Sequence, residues 1–189
     1  MSFAHLPSIL SQALSSLDEV LAVGHAFARE QRLDEAALLQ RRLAPDMLCL
    51  ARQVEIVADG VRGAVARLTG QLDAHDERPA HAVFNRGDDA GFGPMPASFE
   101  ALRGEVGQAQ RDIAALAAAA GFVDAQAVIT VARGGQARVF TAQAFVDRYL
   151  LPNLYFHISI AYALLRAAGA PLGKRHFEGA PAYQLQTLR

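Results

Sequence analysis

Apolar side chains recur three and four positions apart through most of this 189-residue chain, and that spacing decides the class of fold. Leu10, Leu14, Leu17, Leu21 and Ala28 mark one face of a helix from Pro7 to Glu30, with Ser8, Ser11, Ser15, Asp18 and Arg29 largely outside it. A shorter helical piece follows at 33–43. "APDM" then opens a second long helix, because Pro45 suits a first helical position and Asp46 meets the positive end of the dipole. Its stripe reads Met47, Leu50, Val54, Val57, Val61, Val65 and Leu68.

Residues 70–97 lose all periodicity and collect Gly, Pro, Asp and Asn, so a long loop is expected there. A structureless connection of that length is uncommon inside a compact domain, which makes it partly helical, partly mobile or placed over something useful. Ser98 caps a third helix with the face Phe99, Leu102, Val106, Ala109, Ile113 and Leu116, ending at Gly121. "AVITVARGGQARVFT" sets two β-prone runs around "RGGQ", where consecutive glycines allow the positive φ angles of a tight hairpin. Thr141 caps a last helix, 142–168, in which Pro152 predicts a kink between Arg148 and Pro152. The expected fold is one all-α domain over 1–189, an antiparallel four-helix bundle with a short β-hairpin before the last helix and a polar tail at 171–189 on the surface.

Composition narrows the function classes. The 18 basic and 19 acidic side chains nearly cancel and are mixed along the chain, so no polybasic block exists for nucleic acid or an anionic bilayer. The start "MSFAHLPSIL" lacks the pattern of a secretory signal, and no window approaches the roughly 20 apolar residues of a membrane helix. The single cysteine, Cys49, cannot form an internal disulfide and reads as a small buried hydrophobe, which fits a cytoplasmic protein. Nothing in the chain matches GxGxxG, HExxH or a nucleophile elbow.

The segments "RLAPDMLCLARQVEIVAD" (42–59) and "LPNLYFHISIAYALLRAAGAPLGKRHFEG" (151–179), with the hairpin before the last helix, resemble a bacterial family called domain of unknown function 1993, within the DinB/YfiT-like helical superfamily. The resemblance covers most of the chain and matches the 70–97 loop poorly. It implies a four-helix bundle, often a homodimer, whose superfamily relatives commonly bind a divalent metal through three histidines, one on the second helix and two four apart on the last. Some relatives use that metal in thiol-dependent transfer.

His157, on a stripe with Leu150, Leu154, Ala161 and Leu164, matches one of those histidines; Ala161 stands where the second belongs, and Gln53 where the third would project. One imidazole plus a neutral amide is too few ligands for a catalytic zinc site, so no metal and no cofactor is expected. His157 is then either a core histidine hydrogen-bonded to Gln53, Asn153, Tyr155 or a buried water, or part of a pocket that binds a small organic molecule. The candidate pocket residues are His157, Gln53, Asn153, Asp46 and Tyr162. The functional expectation is a non-catalytic or small-ligand-binding homodimer. The alternative is a metal- or thiol-dependent transferase that recruits unusual ligands, for example His157 with Asp46 and a loop histidine.

Weaker features have bland readings. Asp73, His75, Asp76, Glu77 and His81 crowd the loop, but gathering them costs about 1 to 2 kcal/mol of backbone entropy per residue. "GKRH" (173–176) lacks a glycine-rich phosphate loop and reads as a solvated basic turn. Gly60, Gly63, Gly104 and Gly107 each cost a helix roughly 1 kcal/mol against alanine, a cost that close approach of a neighbouring helix or a second subunit would offset.

Overall fold

The structure, a computed structural model, describes residues 3–180, 183–184 and 186–187. It is mostly helical with one two-stranded hairpin. Helix α1 (Leu6–Glu30) is followed by the short α2 (Glu35–Leu39), whose N-cap Asp34 accepts a hydrogen bond from Ala36 N at 2.9 Å. Then come α3 (Leu50–Leu68), α4 (Phe99–Ala119) and the antiparallel strands β1 (Val128–Arg133) and β2 (Gln136–Thr141). Four residues of α5 (Ala142–Phe145), a wide π turn (Val146–Leu150), α6 (Leu151–Ala167) and the short α7 (Lys174–Glu178) complete the described chain. The long helices close a ring of contacts, α1 against α4 and α6, and α3 against the same two. Their apolar stripes meet in one core that includes Leu10, Leu17, Val54, Val61, Leu102 and Leu154. No helix among the described residues is long and apolar enough to cross a membrane.

Local signals fix the element ends. The Ser98 side chain accepts from Ala101 N at 3.2 Å and the Thr141 hydroxyl from Ala144 N at 3.2 Å, so both caps stand where the sequence puts them. Gly134 and Gly135 carry φ angles of 58° and 75°, the two left-handed residues of the hairpin turn. The irregularity before Pro152 is the π turn, which widens the helix where the proline ring would otherwise crowd the carbonyl four residues back.

Helix α3 starts later than Pro45 and Asp46 suggest. Leu50 N donates to Arg41 O at 2.9 Å and the Arg42 guanidinium binds Met47 O, so residues 41–50 close into a loop with Pro45 and Asp46 on a turn. Cys49, extended and fully buried, is the N-cap residue rather than one turn inside the helix.

The 70–97 segment is an ordered strap laid on α3, with single 3-10 turns at Pro79–His81 and Asp89–Gly91. Every residue of α3 except Asp59 and Arg62 is buried, its polar side included. That polar side holds the strap. Arg67 donates to Asp76 O (2.8 Å), His81 O (2.9 Å) and Thr130 O (3.1 Å), while Arg52 reaches Glu55 (2.7 Å), Asp89 (3.3 Å) and Gly93 O (2.9 Å). A Cβ on Gly63 would stand 2.3 Å from His81 O, and one on Gly60 would stand 2.6 Å from the Phe84 ring. The close approach that these two glycines permit is therefore that of the strap, not of a helix or a second subunit.

The start of the tail is less polar than expected: Leu172 is buried. Helix α7 packs on α1, where Gln12 Nε2 donates to Glu178 O at 3.1 Å. Residues 181, 182, 185, 188 and 189 of that tail lie outside the described residues.

Candidate functional site

Helix α6 packs against helix α3, and one polar side chain from each meets the other in the interior. His157 Nδ1 lies 2.7 Å from Gln53 Oε1, and Gln53 Nε2 donates to Leu48 O at 3.0 Å. The second bond fixes the amide, so Oε1 accepts and Nδ1 carries the proton, leaving the lone pair of neutral His157 on Nε2. Burial pushes the imidazole pKa down to about 4, which keeps the ring uncharged through the neutral range. Phe84 of the strap stacks on it at 5.7 Å between centroids and 8° between planes, and Phe156 meets it edge-on at 5.1 Å. Of the three protein partners open to His157 from sequence, Gln53 is the one it takes.

The other candidate pocket residues have separate partners. Asn153 Nδ2 donates to Tyr149 O at 2.7 Å, completing the π turn. Tyr162 packs edge-on against Phe177 of α7, with ring centroids 6.1 Å apart. Asp46 is exposed on the turn before α3.

A divalent metal does not fit these residues. Ala161 is fully buried at the place of a second imidazole, and the Gln53 oxygen already accepts from His157. Among the described residues no three His, Cys, Asp or Glu side chains stand together as a ligand set. The acid-rich strap uses its groups locally: Asp76 binds Arg78 and lies 3.4 Å from His81, and Arg78 with its neighbours holds the Asp76 carboxyl down at about 2. Cys49 is buried with Met95 Sδ at 3.9 Å from its sulfur. In the 173–176 turn, His176 Nδ1 accepts from Gly173 N at 2.8 Å and Lys174 pairs with Glu178 at 3.0 Å.

Sequence reasoning missed Phe84, which lies in an aperiodic stretch with a left-handed φ of 50°. It missed Arg86 as well, which is buried, bonds Asp59 Oδ2 at 2.6 Å and sits 3.9 Å over the Phe92 ring. Gly60 and Gly63, unexplained in a helix, were the available signal. Four cavities open elsewhere. One of about 470 Å³ lies between α3, α4 and the strap, a groove of about 1230 Å³ between α1 and the C-terminal segment, and clefts of about 550 and 280 Å³ between strap and hairpin. His157, Gln53 and Asn153 line none of these four.

The family model for a domain of unknown function (DUF1993) matches residues 4–178. Among solved structures, a DinB family member protein from Shewanella denitrificans is 30% identical, with a TM-score of 0.72 over 95% of this chain and 93% of that one. No curated protein matches the chain.

Proposed function

The chain belongs to the DUF1993 family, and from that membership we propose that it is a metal-free, non-catalytic DinB-like homodimer, a single-domain antiparallel four-helix bundle. The observation that carries this reading is the 2.7 Å bond between His157 Nδ1 and Gln53 Oε1 under the Phe84 ring. It turns the position of the superfamily metal into a satisfied, neutral pair.

A second copy is supported by α6. From Leu151 to Leu165 it carries no charged residue, yet Tyr155 is 42% and Phe156 53% exposed. A helix apolar on both faces belongs between two partners.

One preparation tests both parts. Elemental analysis of untagged protein purified without chelator is expected to find far less than one transition metal per chain. Light scattering is expected to give twice the chain mass, reduced to one by Phe156→Glu. Stoichiometric metal lost in His157→Ala overturns the metal-free reading, and a monomer at every concentration overturns the dimer.

A further inference from the structure

The hairpin presents cations where its pattern calls for core. The register pairs Ile129 with Phe140, Val131 with Arg138 and Arg133 with Gln136, and these alternate positions share one face. Ile129 and Val131 are buried, so the face looks inward; toward the turn it changes to Arg133, Gln136 and Arg138. Opposite runs the strap at 84–87, and between them lies the cleft of about 550 Å³. Arg86, Arg133 and Arg138 line it together with Asn85, Phe84 and Val131, and no carboxylate does.

Its charges are incompletely matched. Arg86 shares Asp59 with Arg62, whose Nη1 is 2.9 Å from the other carboxylate oxygen. Arg138 donates to the neutral Tyr149 hydroxyl at 2.8 Å, and among the described residues Arg133 has no ion-pair partner. Glu77, beside the smaller cleft, accepts from Gly134 N at 3.0 Å instead.

Two buried side-chain atoms of the strap also lack partners among the described residues, Arg86 Nε and Asn85 Oδ1. Arg86 is only 8% exposed. Asn85 Nδ2 donates to Ala132 O at 3.4 Å, so its oxygen is the free end. Natural structures rarely leave such atoms unmatched, because each costs roughly what a lost hydrogen bond does.

We propose that this cleft binds a small organic carboxylate, with the carboxylate on the guanidinium groups and a short apolar body against Phe84 and Val131. Planar guanidiniums match a carboxylate in two-point geometry. The site goes beyond the reading of the helical core and requires no metal.

The test is a titration of the full ¹⁵N-labelled chain with 3-phenyllactate, 3-phenylpropionate and inorganic phosphate. Phenyllactate is expected to saturate with shifts at the amides of Asn85, Arg86, Gly134 and Gln136. Phenylpropionate, which has the same carboxylate and body, is expected to bind comparably, and phosphate, lacking the body, without saturation. Arg133→Ala with Arg138→Ala is expected to weaken phenyllactate at least about tenfold, whereas Arg148→Ala, outside the cleft, leaves it unchanged. If the double variant does not melt cooperatively, Arg133→Ala alone replaces it, because that side chain is exposed and unpaired. No saturation by phenyllactate up to about 10 mM, equal binding by the double variant, or phosphate binding as tightly overturns the proposal. Failure of phenylpropionate to bind overturns the reading of the site as one for a carboxylate with an apolar body.

Discussion

Two polar places on either side of Phe84 differ in how completely their hydrogen bonds are matched. On one side Gln53 both accepts from the His157 ring and donates to Leu48 O. On the other, Arg133 has no ion partner among the described residues, and Asn85 Oδ1 and Arg86 Nε are buried without one. Matched groups stabilise a fold, because the folded chain has already replaced what water offered. Unmatched groups cost stability until something else supplies the partner. On the two proposals above, the place where the family resemblance implies a metal is structural, and the cleft outside that pattern is receptive.

The largest effect that separates the two is the pH dependence of stability. The His157 pKa is about 4 in the folded chain and near 6.5 when unfolded. The folded state thus binds fewer protons than the unfolded state between these values. The contribution of the neutral ring is complete above about pH 6.5, declines as pH falls, and is exhausted below about 4, a loss of about 3 kcal/mol. Depressed carboxyls such as Asp76 act lower, losing their contribution only as pH drops below the ordinary aspartate range. Urea titrations from pH 7 to 4 should show this slope in the natural chain and its removal in His157→Gln. An unchanged slope in that variant would mean that His157 is not the neutral, buried member of the pair.

How far these places were legible in sequence depends on the range of the interactions that build them. The long helices, the Ser98 and Thr141 caps and the Gly134–Gly135 turn rest on neighbours within a few residues, and the sequence displays all of those. His157 opposite Gln53 was accessible because His157 lies on a periodic stripe and because the family resemblance points at both positions. The strap was not accessible. Its order comes from Arg52 and Arg67 meeting backbone carbonyls up to 41 residues away, as with Arg52 and Gly93, and a carbonyl leaves no mark in composition. The start of α3 was misjudged for a related reason: Pro45 and Asp46 fit a helix start locally, but Arg41 O captures the amide of Leu50 and holds the preceding segment as a loop.

An intermediate effect tests whether both places depend on the one strap. Gly63→Ala puts a methyl within 2.3 Å of the His81 carbonyl, a backbone atom with little freedom to move, three residues before Phe84. Alanine gains about 1 kcal/mol in helix propensity, and displacing a strap held by Arg67 outweighs it. A net loss of about 2 kcal/mol is expected in urea titration, with amide shifts at both Gln53 and Asn85. A variant as stable as the natural chain would show that the close approach carries no energetic weight.

The smallest expected effect is the sharpest discriminator. Arg133 is exposed, lacks an ion partner among the described residues and shares its cleft with two other guanidiniums. Arg133→Ala breaks no ion pair or side-chain hydrogen bond among the described residues, so thermal and urea unfolding should change by less than about 0.5 kcal/mol. That near-zero result is informative because binding groups and packing groups respond oppositely to truncation. A side chain retained for a ligand is dispensable until the ligand arrives, while one retained for the fold is missed at once. If Arg133→Ala loses more than about 1 kcal/mol in the free protein, its guanidinium already has a partner within the chain. The cleft would then be as fully matched as the His157–Gln53 pair, and the contrast between the two sides of Phe84 would vanish.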